Sequence, residues 1–305
     1  MKKRENAPRK FESLSELHKV LGLPKPLHPM ISLVENKDNK IDVTKLPESF
    51  IHCFYKISLK NNLNGKIKYG QGYYDFDEGG LLFKAPNQVS ANAEINQDHS
   101  GFTVLFHPDF LAGYPLAKKI KQYNFFSYSV SEALHLSDKE KATITSVFKN
   151  MEEELNGNID DFSQDVVISQ IELLLNYSNR FYKRQFITRK AINNNLLQKL
   201  EEVLNDHFND EELLKEGIPT VHFLAGKLNM SPSYLSDMLR SLTGQNTQQH
   251  IHNKLIEKAK EKLSATNLSV SEIAYELGFE HSQSFSKFFK SKTNSSPLEF
   301  RASFN

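Results

Sequence analysis

The spacing of hydrophobic residues changes along the chain and separates two kinds of predicted secondary structure. Between about residues 28 and 110, short apolar runs such as 50–57 and 102–106 are interrupted by Gly, Pro and Asn. Short runs rich in aromatic and β-branched residues between turn-forming residues are typical of β-strands. Strands this short and this closely spaced predict a small barrel or sandwich.

From Ser137 the apolar residues recur every three or four positions, which predicts α-helices. Ser137 and Glu140 have the spacing of a capping box, and a short Gly- and Asn-containing turn separates two helical stretches. We therefore predict a helical hairpin at 137–187. Two interpretations stay open: a lid that packs on the β-domain, or a dimerisation surface that includes Ile171 and Leu174.

The segment 181–195 is aromatic and basic and ends in three asparagines. Asn clusters between periodic segments are typical of connections, and a chain of 305 residues is long enough for two domains. We therefore predict a first domain at 1–190, which includes the hairpin at 137–187, and a second domain at 191–305.

The second domain contains an internal repeat. The repeated positions are Val221, Ala225, Leu228, Leu235 and Leu239 in the first copy and Val270, Ala274, Leu277, Phe285 and Phe289 in the second. Each copy combines a polar cap, a short helix with a small alanine, a turn at Asn229 or Gly278, and a second helix. Helices that cross steeply need a small residue at the crossing and a turn residue that tolerates positive φ. Each copy therefore predicts a helix-turn-helix.

The second helix of each copy has a polar face opposite its apolar face. Gln and Lys among short polar side chains suit base edges in the major groove, because Gln pairs with adenine and Lys with guanine. The alternative is that each polar face is an ordinary solvated helix surface. Because two copies match in register, this alternative is the weaker interpretation. The polar faces consist of Ser231, Ser233, Ser236, Asp237 and Arg240 in the first copy and Ser282, Gln283, Ser284 and Lys287 in the second.

The segment 221–301 resembles the DNA-binding domain of AraC-type transcriptional regulators. The similarity lies in Ile-Ala-x-x-Leu-Gly-Phe ending at Phe279, Phe-x-x-x-Phe at 285–289, and Ser-Pro-x-x-Phe-Arg ending at Arg301. The resemblance implies an α+β protein whose all-α domain has two helix-turn-helix units joined by a linker helix at 248–264. It also implies a sequence-specific regulator of transcription, with activation as the expected mode.

The resemblance also implies partners and site residues. The implied partners are double-stranded DNA, RNA polymerase and a second copy of the chain in a homodimer. The residues expected to read bases are Ser233, Ser236, Asp237, Ser282, Gln283, Ser284 and Lys287. Those expected to contact phosphates are Ser231, Arg240, Lys290 and Lys292. Asp237 departs from the family pattern, because phosphates repel an aspartate unless it accepts a hydrogen bond from cytosine or a neighbouring Arg. Thr247 replaces the usual proline before the linker helix.

The first domain resembles the family's sensor, a cupin-like β-barrel followed by a helical hairpin, through the stretch 79–86. This implies a small-molecule effector, and no residue is assigned to it. The aromatic residues of this domain either line a pocket or, as we prefer, form a core: Phe54, Tyr55, Tyr73, Tyr74, Phe76, Phe83 and Phe106. A DNA-binding protein that has no effector and uses the barrel only for dimerisation or docking stays open as an alternative.

Composition narrows the classes of function. The net charge is +1, and residues 218–305 contain ten basic and seven acidic residues, which permits phosphate contact without requiring it. The single cysteine, Cys53, excludes an intramolecular disulfide. We expect a cytoplasmic protein, because no apolar leader or membrane-spanning run occurs. No His-x-His pair precedes His250 and no catalytic motif occurs, so we expect neither an enzyme nor a metal or cofactor.

Overall fold

The computed structural model describes residues 8–36, 45–61, 67–69, 72–74, 79–91, 100–157, 163–188, 190–210 and 217–304. They fall into two units, Met1–Gln185 and Phe186–Asn305. The sequence predicts this boundary between residues 190 and 191 instead. The first unit combines strands and helices, and the described part of the second is helical. The predicted α+β class is therefore confirmed.

The main sheet of the first unit has five antiparallel strands. In spatial order they are β10 (Leu134–His135), β7 (Gly80–Lys84), β4 (Tyr55–Lys60), β9 (Gly101–Phe106) and β2 (Ile31–Asn36). A second sheet combines β1 (Arg9–Phe11), β3 (Ser49–His52) and β8 (Val89–Ala91), and a third pairs β5 (Ile67–Tyr69) with β6 (Gly72–Tyr74). Because side chains alternate along a strand, Lys56, Ser58 and Lys60 share one face of β4.

The strands enclose no closed barrel within the part of the chain that the structure describes, so the cupin-like barrel stays a prediction. The two larger sheets are separate, and the end of β4 is crowded by backbone from its neighbours. Gly101 shows this crowding: its φ is +112°, and a Cβ there would lie 2.1 Å from the Leu59 carbonyl oxygen. Only glycine fits such a position.

The aromatic residues predicted to form a core or line a pocket are partly accounted for. Phe54, Tyr55, Phe83 and Phe106 are buried, and the Tyr55 and Phe106 rings stack at 5.2 Å between centroids. The side chains of Tyr73 and Tyr74, and Phe76 as a whole, lie outside the described residues. The described members thus belong to a packed core, and Phe83 also faces a cavity.

The helices of the first unit are α1 (Leu14–Leu21), α2 (Leu116–Lys119), α3 (Asp138–Asn156) and α4 (Ser163–Thr188). The predicted capping box begins α3: Glu140 N–H donates to the Ser137 hydroxyl at 3.4 Å, and Ser137 N–H donates to the Glu140 carboxylate at 2.9 Å. Ile171 and Leu174 on α4 are 0% exposed within the single chain. This burial favours the local-core interpretation of these two residues over a dimerisation surface.

A helix begins at Lys190, where the sequence predicts the domain boundary. α5 (Lys190–Asn209) includes all three asparagines, and its buried residues recur four apart: Leu196, Leu200, Leu204 and Phe208. The later helices are α6 (Val221–Lys227), α7 (Pro232–Thr243), α8 (Thr247–Ala265), α9 (Val270–Glu276), α10 (Ser282–Thr293) and α11 (Pro297–Ala302). Residues 190–195 of the segment in which the sequence predicts the domain boundary are therefore helical, because packing of this leucine stripe outweighs the low helix propensity of asparagine.

None of the described helices combines the length and the apolar composition that a bilayer crossing requires.

Candidate nucleic-acid interface

The two predicted helix-turn-helix units are present and have matching turns. α6 and α7 enclose Asn229 with φ 55°, and α9 and α10 enclose Gly278 with φ 83°. In both copies the residue after the turn donates its N–H to the carbonyl of the small alanine, at 2.9 Å in Met230–Ala225 and 3.0 Å in Phe279–Ala274. Both alanines are buried where the helices cross. The repeat thus encodes the same backbone geometry twice.

Side-chain caps define where these helices begin, as the sequence indicated. The Thr220 hydroxyl accepts from the Phe223 N–H at 3.1 Å at the start of α6, and Ser269 and Glu272 form a reciprocal capping box at the start of α9. The Ser231 hydroxyl accepts from the Tyr234 N–H at 3.3 Å and caps α7. Ser231, expected to contact phosphate, is therefore at least a helix cap.

We call α7 and α10 the reading helices, since each has an apolar face held to the unit and a polar face opposite. In α7 the buried residues are Tyr234, Leu235, Met238 and Leu239. In α10 they are Phe285 and Phe289, whose rings continue an aromatic chain to Phe300, with 5.8 and 5.5 Å between successive centroids. The buried faces fix the rotation of each helix, and so decide which polar residues face outward.

The outward face of α10 is exposed. Gln283, Lys287 and Lys290 follow the i, i+4, i+7 spacing of one stripe, and Ser284 lies beside it. Ser282 is only partly exposed, at the first turn. Lys292 lies on another side of α10, where its charge helps to lower the pKa of His252, after the larger effect of burial. The predicted second-copy residues are thus brought together on one face, with Lys292 at its flank.

The outward face of α7 carries the predicted first-copy residues, but several of them are bonded within the unit. The Ser236 hydroxyl lies 3.0 Å from the hydroxyl of Thr247, which is fully buried at the first turn of α8. Arg240 donates to the Asp237 carboxylate at 2.9 Å. Ser233 shares this face and is partly exposed. Asp237 therefore has the neighbouring-Arg partner that would offset its repulsion from phosphate.

The lysines of the linker helix and of the second reading helix differ in their ion pairs. On α8, Lys254 lies 2.7 Å from the Glu257 carboxylate, and Lys258 lies 3.3 Å from that of Glu261. Lys287, Lys290 and Lys292 on α10 form no ion pair within the described parts of the chain. The three lysines of α10 therefore keep their charge available to an anionic partner, whereas Lys254 and Lys258 of α8 are paired.

Two features of this region were not predicted from the sequence. The bond between Ser236 and Thr247 joins separate helices, and only the departure of Thr247 from the family's proline signalled it. α5 is the other. Nε2 of its His207 lies 2.9 Å from the Gly217 carbonyl oxygen, and because a carbonyl only accepts, Nε2 donates. The leucine spacing in α5 was the signal that could have revealed this helix. No group of three metal-ligating side chains occurs among the described residues.

Comparisons with known proteins agree with this geometry. A family model described as a helix-turn-helix domain matches residues 224–303. The chain is 36% identical over 115 residues to an HTH-type transcriptional regulator of the cgkA 5′ region of Pseudoalteromonas carrageenovora, covering 37% of this chain and 63% of the relative. It is 30% identical over 140 residues to the HTH-type transcriptional activator RhaS of Salmonella paratyphi B, covering 46% of this chain and 45% of RhaS. The chain thus spans less than two thirds of either relative.

Similar solved structures cover the same region. The C-terminal domain of the response regulator yesN from Fusobacterium nucleatum is 30% identical, with a TM-score of 0.31, and the match covers 35% of this chain and 98% of that one. The DNA-binding domain of the transcriptional factor AdpA, solved with a target DNA, is 28% identical, with a TM-score of 0.30. The match covers 34% of this chain and 91% of that one.

Proposed function

We propose that the chain is a sequence-specific DNA-binding regulator of transcription of the AraC type, which the helix-turn-helix match at 224–303 supports. The observation that carries the proposal is the exposed stripe of Gln283, Lys287 and Lys290 on the second reading helix, without an ion pair in the described parts of the chain. A helix placed in the major groove presents such a stripe to base edges and phosphates at once.

Each residue of the stripe has a role that its chemistry suits. The Gln283 amide has the donor and acceptor needed for a bidentate contact to adenine, and Lys287 can donate to guanine. Lys290 and the flanking Lys292 contact phosphates in this proposal, while Ser282 and Ser284 approach neighbouring bases. In the first copy, Ser233 faces the major groove of the DNA. Arg240, which donates to the Asp237 carboxylate, contacts the DNA backbone.

The finer aspects of function are also proposals. Activation of transcription through RNA polymerase is supported by the similarity to RhaS, which is named an activator. A cytoplasmic homodimer is supported by the family resemblance alone. A response to a small-molecule effector is supported by the resemblance of the first unit to a cupin-like sensor and by a cavity in that unit.

The test is selection of binding sites from a random pool of duplexes by the full chain. We expect an enriched motif with two elements about 10 base pairs apart, since two reading helices enter successive major grooves. Affinity for the motif should fall linearly on a log–log plot against salt, with a slope of about 0.9 for each phosphate contacted. A folded chain that enriches no motif and shows no salt-sensitive binding would contradict the proposal.

A further inference from the structure

The linker helix α8 connects the two helix-turn-helix copies along the chain, and both of its ends are held by hydrogen bonds. At its start, Thr247 bonds to Ser236 of the first copy. At its end, Arg301 of α11 donates to the Leu263 carbonyl at 3.2 Å and to the Leu268 carbonyl at 2.6 Å. One helix therefore joins the copies and is fixed at either end.

A second connection between the copies runs through α5 and the residue Gly217, which lies between α5 and α6. α5 packs against α6 of the first copy and against α8, where Lys258 donates to the Asn209 side chain at 3.4 Å. A Cβ on Gly278, at the turn of the second copy, would lie 2.8 Å from the Gly217 backbone. Gly217 is thus in close contact with the second copy.

His207 of α5 lies where these contacts meet, and its side chain is only 2% exposed. Its ring packs edge-on against the ring of Phe223 in α6, with 5.1 Å between centroids. Its Nε2 donates to the Gly217 carbonyl at 2.9 Å. One buried side chain therefore contacts the first copy through Phe223 and reaches the turn of the second copy through Gly217.

The hydrogen bond to Gly217 is what a histidine adds at this position. The other ring nitrogen, Nδ1, is buried and has no hydrogen-bond partner among the described residues. A buried polar atom without a partner costs free energy, and an apolar side chain would fill the same space without that cost. The contribution of His207 beyond packing is therefore the donor at Nε2.

The separation of the two reading helices matters for DNA, because each enters its own major groove. One added base pair moves a groove by about 3.4 Å along the axis and turns it by about a tenth of a turn. Two copies held by α8 alone can adapt to such a change more easily than two copies that are also held through Gly217. A preorganised pair binds its matching spacing more tightly, because less freedom is lost on binding.

We propose that His207 is a positioning residue that fixes the spacing between the two DNA elements which the chain recognises. It touches neither bases nor phosphates in this proposal, and it acts by holding Gly217 against the turn of the second copy. The inference rests on the proposed function as a DNA-binding regulator and adds the device that determines the spacing of its binding site.

The experiment measures a spacing penalty with the full chain. This penalty is the Kd for a duplex with one base pair inserted between the elements of the selected motif, divided by the Kd for the motif itself. His207→Leu should lower the penalty about 2- to 10-fold, as expected for loss of one hydrogen bond. The base preference within each element should not change, since the reading faces are untouched.

Matched variants separate the hydrogen bond from packing. His207→Gln can place its amide nitrogen near the position of Nε2 and should retain the parent's penalty, whereas the shorter amide of His207→Asn should lower it as His207→Leu does. His222→Leu, at an exposed histidine of α6, is the control and should leave the penalty unchanged. Circular dichroism and the thermal midpoint show whether each variant folds, and His207→Asn replaces His207→Leu if the latter does not.

The proposal is overturned if folded His207→Leu and His207→Asn keep the parent's spacing penalty, or if His207→Gln lowers it equally. Loss of folding in all three variants would overturn it as well, because His207 would then serve the core alone. Site selection with the parent chain separates this inference from the proposed function. A parent that selects a motif of fixed spacing, with variants that keep this spacing, contradicts the role of His207 alone. A parent that selects no motif contradicts the regulator itself.

Discussion

The two helix-turn-helix copies have the same scaffold but present different faces. In each copy an alanine at the helix crossing accepts a hydrogen bond from the residue after a turn of positive φ. In the first copy, Ser236 is bonded to Thr247, and Asp237 to Arg240. In the second, Gln283 and Lys287 are exposed and their side chains have no hydrogen bond within the described part of the chain. Backbone geometry is repeated, whereas the chemistry of the outward face is not.

This difference suggests a division of labour. A bonded polar face resists rearrangement and suits positioning on the DNA backbone, whereas an exposed Gln and Lys can meet base edges without first breaking internal bonds. The second copy should therefore carry more of the sequence readout, and the first more of the placement.

The largest effect is expected from the core of the second copy. Phe289 is 0% exposed and touches the Phe285 and Phe300 rings, so Phe289→Ala should destabilise the second unit by about 3–5 kcal/mol. Urea unfolding followed by circular dichroism measures it. Phe304→Ala, at a residue 61% exposed, is the control and should cost much less. Equal losses in the two variants would show that the aromatic chain is not the core of this copy.

The shared scaffold was predictable from the sequence, because its requirements are local. A small residue at the crossing, a turn residue of positive φ and an apolar residue every four positions are all visible within about 25 residues of chain. The bond between Ser236 and Thr247 was not, since it depends on how two helices are placed. The position of Lys56 opposite Lys84 on the neighbouring strand was not predictable either, because distant residues determine the strand register. α5 was missed because its asparagines indicated a domain boundary.

A smaller effect distinguishes the two turns. A Cβ on Gly278 would lie 2.8 Å from the Gly217 backbone, and φ there is +83°. Gly278→Ala should therefore cost about 2 kcal/mol, of which about 1–2 kcal/mol comes from the left-handed conformation. Asn229→Gly, at the equivalent turn, should change stability little, since glycine tolerates φ 55°. Thermal unfolding compares the two variants, and a Gly278→Ala variant as stable as the parent would refute the crowding.

The bonded face of the first copy predicts a coupling between two hydroxyls. Ser236→Ala should cost about 1–2 kcal/mol, because it leaves the buried Thr247 hydroxyl without this partner. Ser236→Ala combined with Thr247→Val should recover much of that loss, since both polar groups are then absent. Ser233→Ala, on the same face, is the matched control. Additive losses in the double variant would mean that the two hydroxyls do not stabilise each other.

The most direct test of the account is site selection with variants of the second reading helix. We predict that Gln283→Ala relaxes the selected motif at one base pair, by about 1–3 kcal/mol, and leaves the salt dependence unchanged. Lys290→Gln should retain the motif and lower the salt slope by about one unit, while the exposed Lys149→Gln on α3 should change neither. If Gln283→Ala retains the full motif while Lys290→Gln alters it, α10 does not present this stripe to the bases and the assignment is contradicted.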